Sequence, residues 1–132
     1  MTSMFDVIRE QIKPDIAFWG GDSIPHNLAG NNKDSNAESL IKTAHTVFKS
    51  LAGVPIYMTL GNHESFPQDT FKFHSAHSND ILNSLVENMD PYPQMRWKDS
   101  KQTFSDWGYY SVPLTLKDGT HVPKTKIISI NG

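Results

Sequence analysis

"IYMTLGNHESFPQD", residues 56–69, is an apolar run that stops at Gly-Asn-His-Glu. The run has the length and residue types of a strand. A strand that ends in an amide, an imidazole and a carboxylate either enters an ordinary polar turn or aims ligands at something. The sequence before it bears on that choice. Leu40, Ile41, Ala44, Val47, Phe48 and Leu51 recur at spacings of three and four, which predicts an amphipathic helix over 36–52. Ser35 or Asn36 can cap its start and Gly53 closes it. Earlier still, "DIAFWGGD" (15–22) is a short apolar run closed by glycines, a buried strand. Strand, helix, strand "VPIYMTL" (54–60) make a βαβ unit, whose two strands run parallel. In such sheets ligands sit outside the carboxyl ends of the strands. The segments "GGDSIPH" (20–26) and "GNHE" (61–64) therefore fall at one edge of the sheet. If the strands are neighbours, they lie about 4.8 Å apart.

The rest of the chain is read from the same signals. "MFDVIREQI" (4–12) predicts a helix with Met4 or Phe5, Ile8 and Ile12 on one face, ended by Pro14, which biases Lys13 away from the helical region. "SIPHNLAGNNKDSN" (23–36) is a polar loop. A helix is expected over 79–89, with Ile81, Leu82, Leu85, Val86 and Met89 on one face, and "MDPYPQMRW" (89–97) is read as a loop. Residues 107–116 and 121–130 flank "LKDGTH", where Asp118-Gly119 signals a hairpin. The expected fold class is thus α/β: a βαβ unit with parallel strands, then a helix and a β-hairpin. Helical pattern at the first residues and an apolar strand, "TKIISING", at the last lead to the expectation that residues 1–132 are part of a single domain cut at both ends.

Composition narrows the function classes. The 132 residues suit one domain, and 37% hydrophobic with 20% charged residues suits a packed core rather than disorder. A net charge of −2 with no basic patch argues against a nucleic-acid polymer as partner. No apolar run approaches the length of a transmembrane segment, and the first residues lack the pattern of a signal peptide. The chain has no cysteine, which excludes disulfides and thiolate metal sites. There is no Gly-x-Ser-x-Gly elbow, P-loop or dinucleotide fingerprint.

Four residues carry the candidate chemistry. Asp22 follows two glycines, which permit a sharp turn and close approach of backbone to a ligand. Its carboxylate suits a hard or borderline cation, and its two oxygens can bridge two of them. Read alone, Asp22 is first a turn or capping residue. Asn62 offers a neutral carbonyl oxygen, useful beside other ligands, and is equally a common turn residue. His63 can ligate metal or donate a proton near neutral pH. His26, four residues after Asp22, is within reach of the same cleft, though nothing local demands it. Glu64 either orients its neighbours or is simply exposed. In an extended chain Asn62 and His63 point opposite ways and serve different roles. His45, His121 and the pair His74/His77 are read as structural or solvent-facing.

Together, "WGGDSIPH" and "GNHESFP" in this order resemble the calcineurin-like metallophosphoesterases, and more finely their acid sphingomyelinase branch. "WGYYS" (107–111) and "KIISIN" (126–131) are similar to two later stretches of that branch. The resemblance covers most of residues 14–131 and implies a partial metallophosphoesterase sandwich, with helices outside two packed sheets. It implies hydrolysis of a phosphodiester, a sphingolipid such as sphingomyelin or a nucleotide, with two divalent metal ions, Zn²⁺ by expectation. Asp22 would bridge both metals and Asn62 would bind one. His63 would be the general acid, and His26 would lie against the phosphate or leaving group. A secreted or lysosomal home is implied likewise. Three features of the family are missing. No Asp-x-His precedes residue 14, no Gly-His-x-His follows, and Gly20 stands where Thr is usual. Asp22 and Asn62 alone do not close a dinuclear site, so this chain by itself is expected to be inactive. The alternative expectation is a non-catalytic interaction module that kept the fold.

Overall fold

The computed structural model describes residues 3–25, 30, 32–70 and 76–131, with the side chains of 76–79 and 98 left aside. The chain begins with α1, Met4–Val7, which widens into a π-helical turn over Ile8–Ile12. Ser3 and Asp6 cap its start reciprocally. Its end departs from expectation. Lys13 is left-handed (φ +51°) and its N–H reaches back five residues to the Ile8 carbonyl. Pro14 forbids continuation, but the escape is left-handed rather than extended. Met4 and Ile12 remain exposed, so only the Phe5 and Ile8 side of that face meets the core.

Strand β1 is Ala17–Trp19, helix α2 is Lys33–Ser50 and strand β2 is Ile56–Met58. The two strands pair in parallel, with Ala17 opposite Ile56, Phe18 opposite Tyr57 and Trp19 opposite Met58. The βαβ unit read from the sequence is therefore present, with its strands direct neighbours. Two details differ. Helix α2 starts three residues earlier than predicted, because Asn32 rather than Ser35 or Asn36 is the cap. Asn32 accepts from the Ser35 N–H at 2.9 Å, while the Ser35 hydroxyl accepts from the Asn32 N–H at 2.9 Å. Strand β1 is not buried. Phe18 is 66% exposed, whereas all three residues of β2 are buried.

Helix α2 turns Leu40, Ala44 and Phe48 inward, and α3, Ala76–Met89, meets them with Leu82, Leu85 and Met89. Between the expected loop at 89–97 and the hairpin, where the sequence signals no element, lie a short 3₁₀ turn, Lys98–Ser100, and a helix, α4, Lys101–Trp107. Only Phe104 and Ser105 of α4 are buried, too sparse an apolar pattern to show as a period. Phe104 packs on Trp97 and Tyr110, with ring centroids 4.7 and 6.0 Å away. Gly108 ends the helix in the left-handed conformation.

The hairpin is β3, Tyr110–Thr115, and β4, His121–Ser129, antiparallel and turning at Asp118-Gly119. It is pinned to β2 by buried side chains. Tyr57 donates to the Thr115 carbonyl at 2.9 Å and accepts from its N–H at 2.7 Å. The Met58 carbonyl accepts from Tyr110 at 2.8 Å and from Ser129 at 3.0 Å. These ties hold two small sheets together and leave the carboxyl end of β2 to project Gly61 onward. Among the described residues no helix is long and apolar enough to cross a membrane.

Candidate phosphoester site

Residues after β1 and after β2 meet at one sheet edge, and glycine makes the meeting possible. Gly21 is left-handed (φ +79°), and a Cβ on it would lie 2.2 Å from the Gly61 nitrogen. A Cβ on Gly61 would lie 2.1 Å from Asp22 Oδ1. The two loops are in backbone contact at positions that no side chain fits, so each glycine serves the other loop. Asp22 is itself left-handed (φ +54°), a conformation that Asp tolerates better than most residues.

A buried carboxylate locks this contact. Glu64 is 1% exposed. Its Oε2 accepts from the N–H of Asp22 at 2.9 Å and of Gly61 at 2.7 Å, and its Oε1 from the N–H of Ser23 at 2.5 Å. Three backbone donors from two loops thus converge on one buried side chain. Of the two expectations for Glu64, orienting its neighbours is the one observed.

Asn62–Glu64 form a 3₁₀ turn rather than an extended segment. Three residues per turn send three side chains in three directions. The Asn62 and His63 side chains therefore still point in different directions, by a different geometry. His63 is buried, and its Nδ1 lies 2.8 Å from the Ile24 carbonyl. A carbonyl only accepts, so Nδ1 carries the hydrogen in this contact. The His63 N–H donates to Asp22 Oδ1 at 3.2 Å. That bond ties the Asp22 carboxylate to the GNHE turn while leaving Asp22 exposed. Asn62 is exposed too, and its Nδ2 donates to Asp69 Oδ1 at 2.6 Å. An ionised carboxylate only accepts, so the amide nitrogen faces Asp69 and the carbonyl oxygen is left for another partner.

A model of the calcineurin-like phosphoesterase family matches residues 1–131. The chain belongs to that family. Among curated proteins it is 27% identical over 108 residues to the sphingomyelinase phosphodiesterase C of Dictyostelium discoideum, covering 80% of this chain and 22% of that one. It is 31% identical over 117 residues to the sphingomyelin phosphodiesterase B of the same organism, covering 85% and 18%. It is 27% identical over 133 residues to the human cyclic GMP-AMP phosphodiesterase SMPDL3A, covering 98% and 26%. The chain thus spans roughly a fifth to a quarter of these relatives.

Family membership implies divalent metal ions. The donor types fit part of such a centre: an exposed carboxylate and an exposed amide carbonyl on two loops that meet at one sheet edge suit hard or borderline cations. Among the described residues no group of three or more His, Cys, Asp or Glu is placed to hold an ion. Of the residues singled out in the sequence, the structure brings together Asp22, Asn62, His63 and Glu64. His26 and His74 lie outside the described residues, as does the His77 side chain. His45 is half-buried with Nδ1 2.6 Å from the Tyr92 hydroxyl, and His121 sits on the hairpin with Nδ1 2.9 Å from Thr115 Oγ1. His45 lies at the boundary of the core, as expected, and His121 is exposed with a structural partner. Sequence reasoning missed Asp69 and the Ile24 carbonyl. No local spacing links Asp69 to Asn62, and a backbone carbonyl leaves no trace in side-chain identity.

Proposed function

We propose that this chain supplies half of a two-metal centre for hydrolysing a phosphodiester. The observation that carries this is the docking of the GGD loop onto the GNHE turn, which sets Asp22 and Asn62 together beside His63. In this reading Asp22 holds both ions and Asn62 holds one. Bound divalent ions, Zn²⁺ in our reading, would activate water and neutralise phosphoryl charge. His63, its Nδ1 fixed by Ile24, donates the leaving-group proton through Nε2. His26 is assigned to the phosphate or leaving group by resemblance alone. Relatives named for sphingomyelin and for cyclic GMP-AMP support a sphingolipid or nucleotide diester as substrate, and a secreted or lysosomal setting rests on the same resemblance.

Two oxygen donors leave most of each ion's coordination to other ligands, so the 132-residue chain alone is expected to be inactive. It should bind a divalent ion weakly and turn over no bis-p-nitrophenyl phosphate with added Zn²⁺. Robust, chelator-sensitive turnover would refute the inactivity. The same sparse donor set favours the second reading, an interaction module that kept the fold without catalysis. Absence of any selective ion binding at Asp22 and Asn62 would decide for that second reading.

A further inference from the structure

We infer that Asp69 is a positioning residue. It holds the Asn62 side-chain amide so that the carbonyl oxygen, and not the NH₂ group, faces an incoming divalent cation. The inference rests on the metal-binding role proposed above for Asn62.

An asparagine amide has two nearly isosteric ends. One attracts a cation and the other repels it, and only a hydrogen-bond partner decides which is presented. Asn62 is the exposed residue of its 3₁₀ turn, where nothing in its own backbone makes that choice. The Asp69 carboxylate accepts from Asn62 Nδ2 at 2.6 Å, a charge-assisted bond that the flipped amide cannot make. A flip would bring two acceptors face to face.

The loop is built to keep Asp69 in place. The Asp69 N–H donates to the Asn62 carbonyl at 3.2 Å, closing residues 62–69 from the other side. The Ser65 hydroxyl lies 3.0 Å from the same carbonyl and accepts from the Thr70 N–H at 3.0 Å. Asp69 itself is left-handed (φ +62°). This conformation is favoured by Gly, Asn and Asp and costs other residues about 1 kcal/mol or more. Two informative substitutions are therefore compatible with the backbone. Asp69→Gly removes the carboxylate without strain. Asp69→Asn keeps an acceptor oxygen but removes the charge.

The test is a Mn²⁺ titration of the ¹⁵N-labelled 132-residue chain, read by paramagnetic broadening of its backbone amide signals. Broadening depends on ion occupancy and not on turnover. In the wild type, residues 21–23 and 61–64 should broaden first. Asp69→Gly should raise the half-broadening Mn²⁺ concentration by about tenfold, the usual scale for losing a partner that orients a metal ligand. Asp69→Asn should restore most of that loss. Thermal midpoints of all three proteins should agree closely, since Asp69 is exposed and its backbone bond persists. Equal Mn²⁺ affinity in wild type and Asp69→Gly overturns the inference. So does an Asp69→Asn protein as weak as Asp69→Gly, which would mark Asp69 as a charge or a direct ligand. If the wild type shows no selective broadening, the metal-binding reading of Asp22 and Asn62 falls, and the positioning role falls with it.

Discussion

Glu64 shows how much one side chain decides at the residue scale. It follows His63 in sequence, yet its work is structural: it accepts three backbone N–H groups from two loops while almost wholly buried. Glu64→Gln keeps the size but turns an NH₂ group toward at least one of those donors. The expected loss is about 3 kcal/mol, from a charge-assisted bond replaced by a donor–donor clash. A urea titration would measure it, and an unchanged midpoint would show that the clamp is dispensable. Glu64 was legible in the sequence only as an alternative, orienting or exposed. Two of its three partners lie about forty residues upstream, and nothing local names them. That Asp22 and Asn62 fall at one sheet edge was legible from the parallel strands, whereas their residue types alone suited ordinary turns.

At the scale of elements, the ties between β2 and the hairpin are unequal. Tyr57 satisfies both the N–H and the carbonyl of buried Thr115, so Tyr57→Phe leaves two backbone groups unpaired. Tyr110→Phe removes one of two donors to the Met58 carbonyl, which keeps Ser129. Tyr57→Phe should therefore cost about 2 kcal/mol and Tyr110→Phe about half that. Comparing urea midpoints tests the order, and the reverse order would show that the second donor to Met58 does not compensate. The helices divide in the same way between legible and hidden. Helix α2 was plain from its apolar spacing, although its cap came three residues early, since Asn and Ser recur through 31–36 and only geometry selects Asn32. Helix α4 was missed because it buries one large side chain, and the aromatic cluster with Trp97 and Tyr110 holds it rather than a repeating face.

At the scale of the whole molecule, the aromatic interior makes stability depend on alkaline pH. Burial pushes the Tyr110 phenol well above its usual value. A raised pKa in the fold means that stability is fully present below the unfolded value, about 10, and declines as pH rises toward the folded one. The chain should lose stability above about pH 10, and Tyr110→Phe should flatten that decline. An equally steep alkaline limb in the variant would place the effect elsewhere. By itself the sequence determined the α/β class, the βαβ unit and the common edge of its two motifs. Periodicity, glycine and the parallel rule are local or near-local physics. Tertiary structure alone decided which way each polar side chain is spent. The Glu64 clamp and the His63 bond to Ile24 exist only once backbone about forty residues away has been brought within 3 Å or so, and the Asp69 hold on Asn62 only once the loop between them has closed.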